Sequence, residues 1–538
     1  MNAPGNQPSD QTAPAPKRGM RWWIPAIIIA AAAANIIRLQ TMPELDALPK
    51  RFWSMLSACA AIPFLLIWWL FLSRLRWRVR LAGLALAGLG VFGLLQLVRV
   101  DGSLGTGEPL IVWKWAPRKT GEVSGNAPPA TAKAGPALEG EMDYPGYLGA
   151  ARSGVVEGVR LDRDWNAHPP QQLWRHAVGL GWSGFAVSGG RAITQEQRGP
   201  GELTVCYALD TGAVLWAHTN EARFSEPMGG DGPRATPTIA GPRVYALGAT
   251  GILDCLATDT GKLIWTHDIL KENSIPNMPF GKTSSPLCVD DLVVVTGGMA
   301  GKGTLLAYRA ADGAPAWQAG DDQASFTSPS IAILGGQRQI LSASAAKICG
   351  YDPKDGHVLW QYTWGSDKWP KCAQPVALGD DRILLSASFQ NPTTLLRVTR
   401  GADGKLAAGE LWKNHNLKAA YNNIVTLGGC AYGLDDGILV CLDLATGERK
   451  WKEGRYGKGQ VLLAGNMLLV QTEPGPVALV EATPAAFHEF GSIPALHDKT
   501  WNTPALAGAY LLARNDQEAV CYKLPQSTAP APSRNPSN

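Results

Sequence analysis

Eight side chains recur at one place in a repeating pattern: Trp182, Arg234, Lys282, Phe326, Lys371, Tyr421, Lys458 and Trp501. They lie roughly 40–50 residues apart, each just ahead of a short β-patterned run and commonly a few residues before its proline. Half of them are basic and half aromatic. Cations attract carboxylates, and aromatic faces stack on flat rings. If the set converges, the chemistry it offers is recognition of an anionic, planar ligand. The other reading is that these are ordinary loop residues facing solvent. The elements that carry them decide between the two.

Convergence needs a ring, and a second repeat points to one. The stretches CYALDTGAVLW, CLATDTGKLIW, AYRAADGAPAW, YDPKDGHVLW and CLDLATGERKW end on Trp216, Trp265, Trp317, Trp360 and Trp451. In every copy a glycine (Gly212, Gly261, Gly313, Gly356, Gly447) stands at the same distance before the tryptophan. Glycine in a last hairpin supplies a positive φ, and the Asp or Thr beside it hydrogen-bonds locally. The tryptophan then falls at a fixed point of an outermost strand, where it can cover the neighbouring unit. Burying an indole removes ~200 Å² from water, several kcal/mol per junction at ~25 cal/mol/Å². These tryptophans, with Trp174 and Trp412, are therefore read as structural docking residues, not catalytic ones.

The full unit, as in TPTIAGPRVYALGATGILDCLATDTGKLIW (236–265), holds four β-patterned runs separated by turn signals. Repeated along the chain, it predicts an all-β, eight-bladed β-propeller with four-stranded blades over residues 144–524, or a seven-bladed one if the copy ending on Phe490 is not a blade. One copy is degenerate and ends on Phe490; another, residues 502–524, has only three runs. The missing strand is available in QQLW, residues 171–174, and pairing the two ends of the domain would close the ring and hide its edges. Cys206, Cys255 and Cys441 stand at one small-residue position of the repeat, where other copies carry Ala307 and Gly350, and Cys521 matches them. Equivalent points on different blades are too far apart to bridge, so no disulfide is predicted among them. His218 and His267 follow repeat tryptophans by two residues and are read as strand-surface residues; no metal site is predicted. Composition agrees with a turn-rich β protein, with Gly 60, Trp 20 and 17% charged residues. A net charge of only +4 leaves no nucleic-acid footprint.

The first hundred residues differ in kind. Residues 1–20 are polar and proline-rich, which predicts a disordered N-terminus. Residues 21–100 read as a membrane anchor of three transmembrane helices, from the apolar runs Trp22–Ile37, Phe52–Ser73 and Leu81–Val98. Lys17, Arg18 and Arg21 precede the first run, and Arg74, Arg76, Arg78 and Arg80 lie between the second and third. With three spans both groups fall on one side, which the positive-inside rule makes cytoplasmic. The propeller is then periplasmic on a multi-pass inner-membrane protein, and the lipid bilayer is its first partner. Residues 101–143 read as a flexible linker and 525–538 as a disordered tail.

The pattern (A/L)-x-D-x-x-T-G-x-x-x-W resembles the PQQ-like β-propeller repeat of quinoprotein dehydrogenases and of BamB-type outer-membrane assembly proteins. The resemblance runs from Tyr144 to Leu524, and YPGYLGAARSGV with WSGFAVSGGRAITQEQRG resembles the start of bacterial PQQ-repeat proteins. It implies one of two functions. As a BamB-like protein, the chain would be a binding or assembly scaffold for other envelope proteins. As a quinoprotein, it would be a PQQ-dependent dehydrogenase oxidising an alcohol or sugar and feeding membrane quinone. PQQ with calcium would then occupy the channel mouth near Trp182, Arg234, Lys282, Lys371, Tyr421, Lys458 and Trp501. The sequence has no adjacent cysteine pair and no C-x-x-C-H for an attached haem. The scaffold reading is the stronger of the two.

Overall fold

The computed structural model describes residues 19–42, 45, 47–105, 107–116, 130, 135–367, 371–388 and 391–527. Most of the expected disordered start, residues 106, 117–129 and 131–134 of the expected linker, and most of the expected tail lie outside them. Two units are distinct: residues 1–99 with 111–115, and residues 100–110 with 116–538.

The second unit is a β-propeller. Among the described residues it contains eight sheets, and in six of them a short innermost strand is followed outward by antiparallel neighbours strictly in chain order. The second sheet is typical, with strands Thr238–Ala240, Arg243–Leu247, Ile252–Ala257 and Leu263–Asp268. The degenerate copy ending near Phe490 forms a complete sheet, Gln460–Ala464, Met467–Gln471, Val477–Glu481 and Glu489–Ile493. It also gains Val155–Val156 as a parallel fifth strand.

At five junctions, what fastens one sheet to the next is an indole on a glycine. Each repeat glycine has positive φ, for instance 68° at Gly212 and 66° at Gly261. A Cβ there would also run into the tryptophan of the preceding sheet. Its ring atoms would lie 2.7 Å away for Trp174 at Gly212 and for Trp216 at Gly261, and 2.8 Å for Trp265 at Gly313 and Trp412 at Gly447. The indole N–H then donates to the same turn: Trp174 to Leu209 O at 2.8 Å, Trp216 to Thr258 O at 2.9 Å, Trp412 to Leu444 O at 3.0 Å. Trp360 departs from this because the fifth sheet has a long hairpin, Thr393–Arg400 with Leu406–Asn414, where five of the other sheets have the tight glycine turn. Its N–H turns back to Gln339 Oε1 within its own sheet.

The small-residue position has the same cause. Cys206, Cys255, Ala307, Gly350, Cys441 and Cys521 lie directly opposite Trp216, Trp265, Trp317, Trp360, Trp451 and Trp174. A larger side chain would lift the indole off the next turn. All nine cysteines are free. His267 stacks on Tyr308 with centroids 4.8 Å apart and has Glu272 at 2.9 Å, while His218 lies 3.6 Å from Asp254.

Closure is as the repeat count requires. Gln171–Ala177 pairs antiparallel with Glu518–Lys523 as the outermost strand of the sheet that begins at Ala505–Ala507. A buried charge network seals the seam. Arg514 donates to Gly179 O (2.8 Å), Gln195 O (2.7 Å) and Thr194 Oγ1 (2.9 Å). Beside it Glu196 receives Arg198 at 2.9 Å and the Gly179 N–H at 2.8 Å. Burial pushes the Glu196 carboxyl up, but the guanidiniums of Arg198 and Arg514 overcome this and leave it below the usual range.

Residues 144–156 run across the inside of the ring. Tyr144 bridges to Val187, Pro145 O accepts from Ile239 N–H (2.7 Å), and Gly154 O accepts from Leu463 N–H (2.9 Å). Between them Arg152 is buried and donates to Ser285 O (3.1 Å), Pro329 O (2.9 Å), Thr238 Oγ1 (3.3 Å) and Pro286 O. One side chain thus gathers three sheets around the axis.

The first unit holds three helices long and apolar enough to cross a membrane: Trp23–Thr41, Pro49–Leu72 and Trp77–Leu97. Asn35 Nδ2 donates to Ser57 Oγ at 2.7 Å, joining the first two.

Two expectations are corrected. Residues from 101 do not start as a featureless tether, because Val98–Ser103 and Pro109–Trp113 pair as a two-stranded sheet. The β-branched runs VRV and LIVW flank the glycine-rich SLGTG, which makes this a hairpin. Likewise the expected tail is anchored at its start, where Gln526 bridges to Leu161 and Asp162 N–H donates to Pro525 O at 2.9 Å.

Gly261→Ala is expected to lower the thermal midpoint of the propeller well below that of Gly428→Ala. Both positions have positive φ, 66° and 55°, so each change costs about 1–2 kcal/mol in backbone strain. Only Gly261 adds overlap with Trp216, about 1–3 kcal/mol more, whereas nothing lies within 4 Å of a Cβ at Gly428. Equal losses in near-UV circular-dichroism melts would show that the indole yields freely.

Candidate functional site

The loops leading into the innermost strands carry the predicted basic and aromatic residues, and the structure divides them. Trp182, Tyr421 and Trp501 come together: Trp182 and Trp501 have centroids 5.0 Å apart at 41°, and Tyr421 lies 5.7 Å from Trp501. Gln460 Nε2 ties the two loops by donating to Tyr421 O (2.9 Å) and Trp501 O (3.1 Å). Phe326 packs edge-on against Phe280 at 5.7 Å instead.

The basic residues are engaged by the chain itself. Lys282 is fully buried, and its ammonium donates to Thr296 O (2.7 Å), Gly297 O (2.5 Å) and Thr296 Oγ1 (3.2 Å). Burial pushes it down to about 7. Lys371, also fully buried, donates to Ala345 O and to Ser366 O (2.9 Å) and lies 5.5 Å from the Trp364 ring; burial pushes it down to about 8. Arg234 sits 4.5 Å over the Phe224 ring and donates to Gly230 O (2.6 Å) and Gly232 O. Lys458 reaches Asp436 Oδ1 at 2.8 Å, and Lys418 takes the other oxygen at 3.1 Å. Burial works against the Asp436 carboxylate, but these two ammoniums hold it below its ordinary range.

At the aromatic side the pattern had missed the residues that matter most. Glu473, 6% exposed, accepts the Trp501 indole N–H at 2.9 Å and the Lys458 backbone N–H at 2.9 Å. Lys499 lies over two ring faces, 4.3 Å from Trp501 and 5.0 Å from Trp182. Between this carboxylate and this ammonium sits the tip of the 98–113 hairpin. Gly105 N–H donates to Glu473 Oε1 (2.7 Å), Lys499 donates to Ser103 O (3.3 Å), and Ser103 Oγ donates to Met228 O (3.4 Å). Gly105 is buried. Lys499 and Trp501 share the segment DKTW, so reading two chemical residues in that loop rather than one would have found the ammonium. Glu473 lies in a turn after a strand of the neighbouring sheet, where the preceding sheet carries Asp436.

Chemically this mouth offers one carboxylate acceptor, one cation and a wall of indole and phenol rings. The family described as outer membrane protein assembly factor BamB matches residues 166–268 and 199–453, together more than half of the chain. The chain belongs to the PQQ-like β-propeller family. Two solved structures with TM-scores above 0.5 agree on the fold. A europium-containing methanol dehydrogenase is 11% identical, with 71% of this chain and 98% of that one covered and a TM-score of 0.53. The quinohemoprotein alcohol dehydrogenase from Comamonas testosteroni is 12% identical, with 72% and 82% covered and a TM-score of 0.51. BamB from Moraxella catarrhalis is 16% identical, with 68% and 99% covered and a TM-score of 0.48. No curated protein matches.

Stability should depend on pH through Lys282. Its ammonium loses its proton near pH 7 in the folded PQQ-like propeller but only near ~10.4 when unfolded. Between these values the unfolded chain binds more protons, so stability rises with pH. From pH 7 to 8.5 the wild type should gain up to about 2 kcal/mol over Lys282→Met, read as a divergence of their denaturant midpoints. Parallel midpoints would mean that the three oxygen partners keep the folded ammonium charged throughout.

Proposed function

We propose that this protein is a membrane-anchored, periplasmic, eight-bladed PQQ-like propeller that acts as a binding or assembly scaffold for envelope proteins. The observation that supports it best is that the ring is filled by its own chain, with residues 144–156 and Arg152 inside and Gly105 at the mouth. The three helices, each long and apolar enough to cross a membrane, form its multi-pass anchor in the inner membrane. Reporter fusions after Arg80 and after Lys119 are expected to behave as cytoplasmic and periplasmic, respectively; one compartment for both would end this topology.

The rival reading, a dehydrogenase using PQQ and calcium, draws on the same fold. The mouth as arranged does not fit the quinone. A flat ring between two others needs roughly 7 Å of separation, whereas Trp182 and Trp501 stand 5.0 Å apart and tilted. Lys282 and Lys371 face main-chain oxygens, and Lys458 faces Asp436. Among the described residues no group of three or more His, Cys, Asp or Glu could hold a metal ion. The purified protein, given PQQ, calcium, a dye acceptor and a panel of alcohols and sugars, is expected to leave the dye oxidised. Substrate-dependent dye reduction would overturn the scaffold reading.

A further inference from the structure

We propose that the mouth of the ring is a receptor for a glycine turn of polypeptide, filled in cis by Ser103, Leu104 and Gly105. This deepens the scaffold reading and rests on it, since it names what such a scaffold would bind.

The contacts at the mouth read main chain and size. One backbone donor, Gly105 N–H, meets the Glu473 carboxylate at 2.7 Å. One backbone acceptor, Ser103 O, meets the Lys499 ammonium at 3.3 Å. The turn that presents them is closed by its own bonds, Leu104 N–H to Glu108 O and Gly107 N–H to Leu104 O, both 2.8 Å, with Gly107 at φ 79°. At the seat itself no side chain is tolerated. A Cβ on Gly105 would stand 2.6 Å from Lys458 Cβ and 2.9 Å from Glu473 Oε1.

The receptor side is built independently of the turn. Trp501 N–H and Lys458 N–H orient the Glu473 carboxylate, and the rings of Trp501 and Trp182 hold the Lys499 ammonium. A carboxylate and a cation set to receive an N–H and a C=O two residues apart form a site for any tight turn whose central residue is glycine. The tethered turn competes for the site at an effective concentration on the order of mM, so the mouth is self-capped and opens only when the hairpin leaves.

The test uses the full chain in nanodiscs and a fluorescent peptide of residues 100–110, VDGSLGTGEPL, cyclised through its ends to preserve the turn. Gly105→Ala, and separately deletion of residues 103–107, should vacate the mouth. Both chains are expected to bind the peptide at least about 10-fold more tightly than the wild type does. The same peptide carrying Gly105→Ala should not bind, and Glu473→Gln placed in either open chain should weaken binding about 10-fold. If neither open chain binds the peptide more tightly than wild type, or if the alanine peptide binds as well as the glycine one, the proposal is overturned. Dye reduction in the preceding assay with peptide binding intact would remove the scaffold reading alone. No dye reduction and no peptide binding would remove only the turn receptor.

Discussion

Most of the sheet junctions in the propeller depend on an indole lying against a turn that has no side chain. The tryptophan supplies the area, the glycine supplies the room, and the turn carbonyl supplies a hydrogen-bond acceptor for the indole N–H, as between Trp216 and the Gly261 turn. Burial and hydrogen bonding are thus satisfied by one contact, which matters because an indole buried without a partner for its N–H would lose much of what its area contributes. The contact also sets the angle between sheets, since a rigid ring meets a rigid turn. The opposing residue must then be small, and free thiols at Cys206, Cys255, Cys441 and Cys521 follow from packing rather than from redox chemistry.

A ring built this way has two weak places, its seam and its axis, and the chain treats both with buried charge. At the seam Arg514 binds three oxygens of the opposite end of the domain while Glu196 balances it. At the axis Arg152 does the same with the carbonyls of converging strands. Innermost strands are short and start from loops, so their first carbonyls lack ladder partners. A guanidinium with several donors in a fixed plane can satisfy a number of them at once. Lys282 serves one loop, and Lys371 two segments, in the same manner. Charges that look like a ligand-binding ring in the sequence are, in the folded chain, mostly solvation for main-chain oxygens.

That difference explains what could be read in advance. The sheets, the closing strand Gln171–Ala177 and the docking tryptophans were legible because each rests on a repeated local signal: a turn glycine, an alternation, a fixed spacing. The indole-on-glycine contact was half legible, since the positive φ follows from the turn but the approach from the preceding sheet does not. At the mouth, Trp182, Tyr421 and Trp501 were found by repeat position. Glu473 and Lys499 were not, because neither stands at that repeat position. The direction of a lysine side chain is not a repeat property either; whether Lys371 points into a channel or back to Ala345 O depends on loop carbonyls far away in sequence. The hairpin at 98–113 was hidden by composition, since glycine-rich flanking sequence resembles a tether until the two β-branched runs are paired.

The hairpin tip and the sheet junctions finally turn out to use one physical device. In both, a glycine removes the side chain from a tight turn so that another group can reach the peptide plane. In the junctions an indole covers that plane and donates to it. At the mouth a carboxylate and an ammonium flank the plane and take its N–H and C=O, while the indoles of Trp182 and Trp501 position the ammonium. The difference lies in polarity. An indole against a turn is insensitive to salt and stays docked, which suits a permanent joint. A carboxylate and an ammonium trade readily with water and with other donors and acceptors, which suits a joint that can be exchanged. Within one chain, the same glycine solution therefore gives fixed contacts around the ring and an exchangeable one at its mouth.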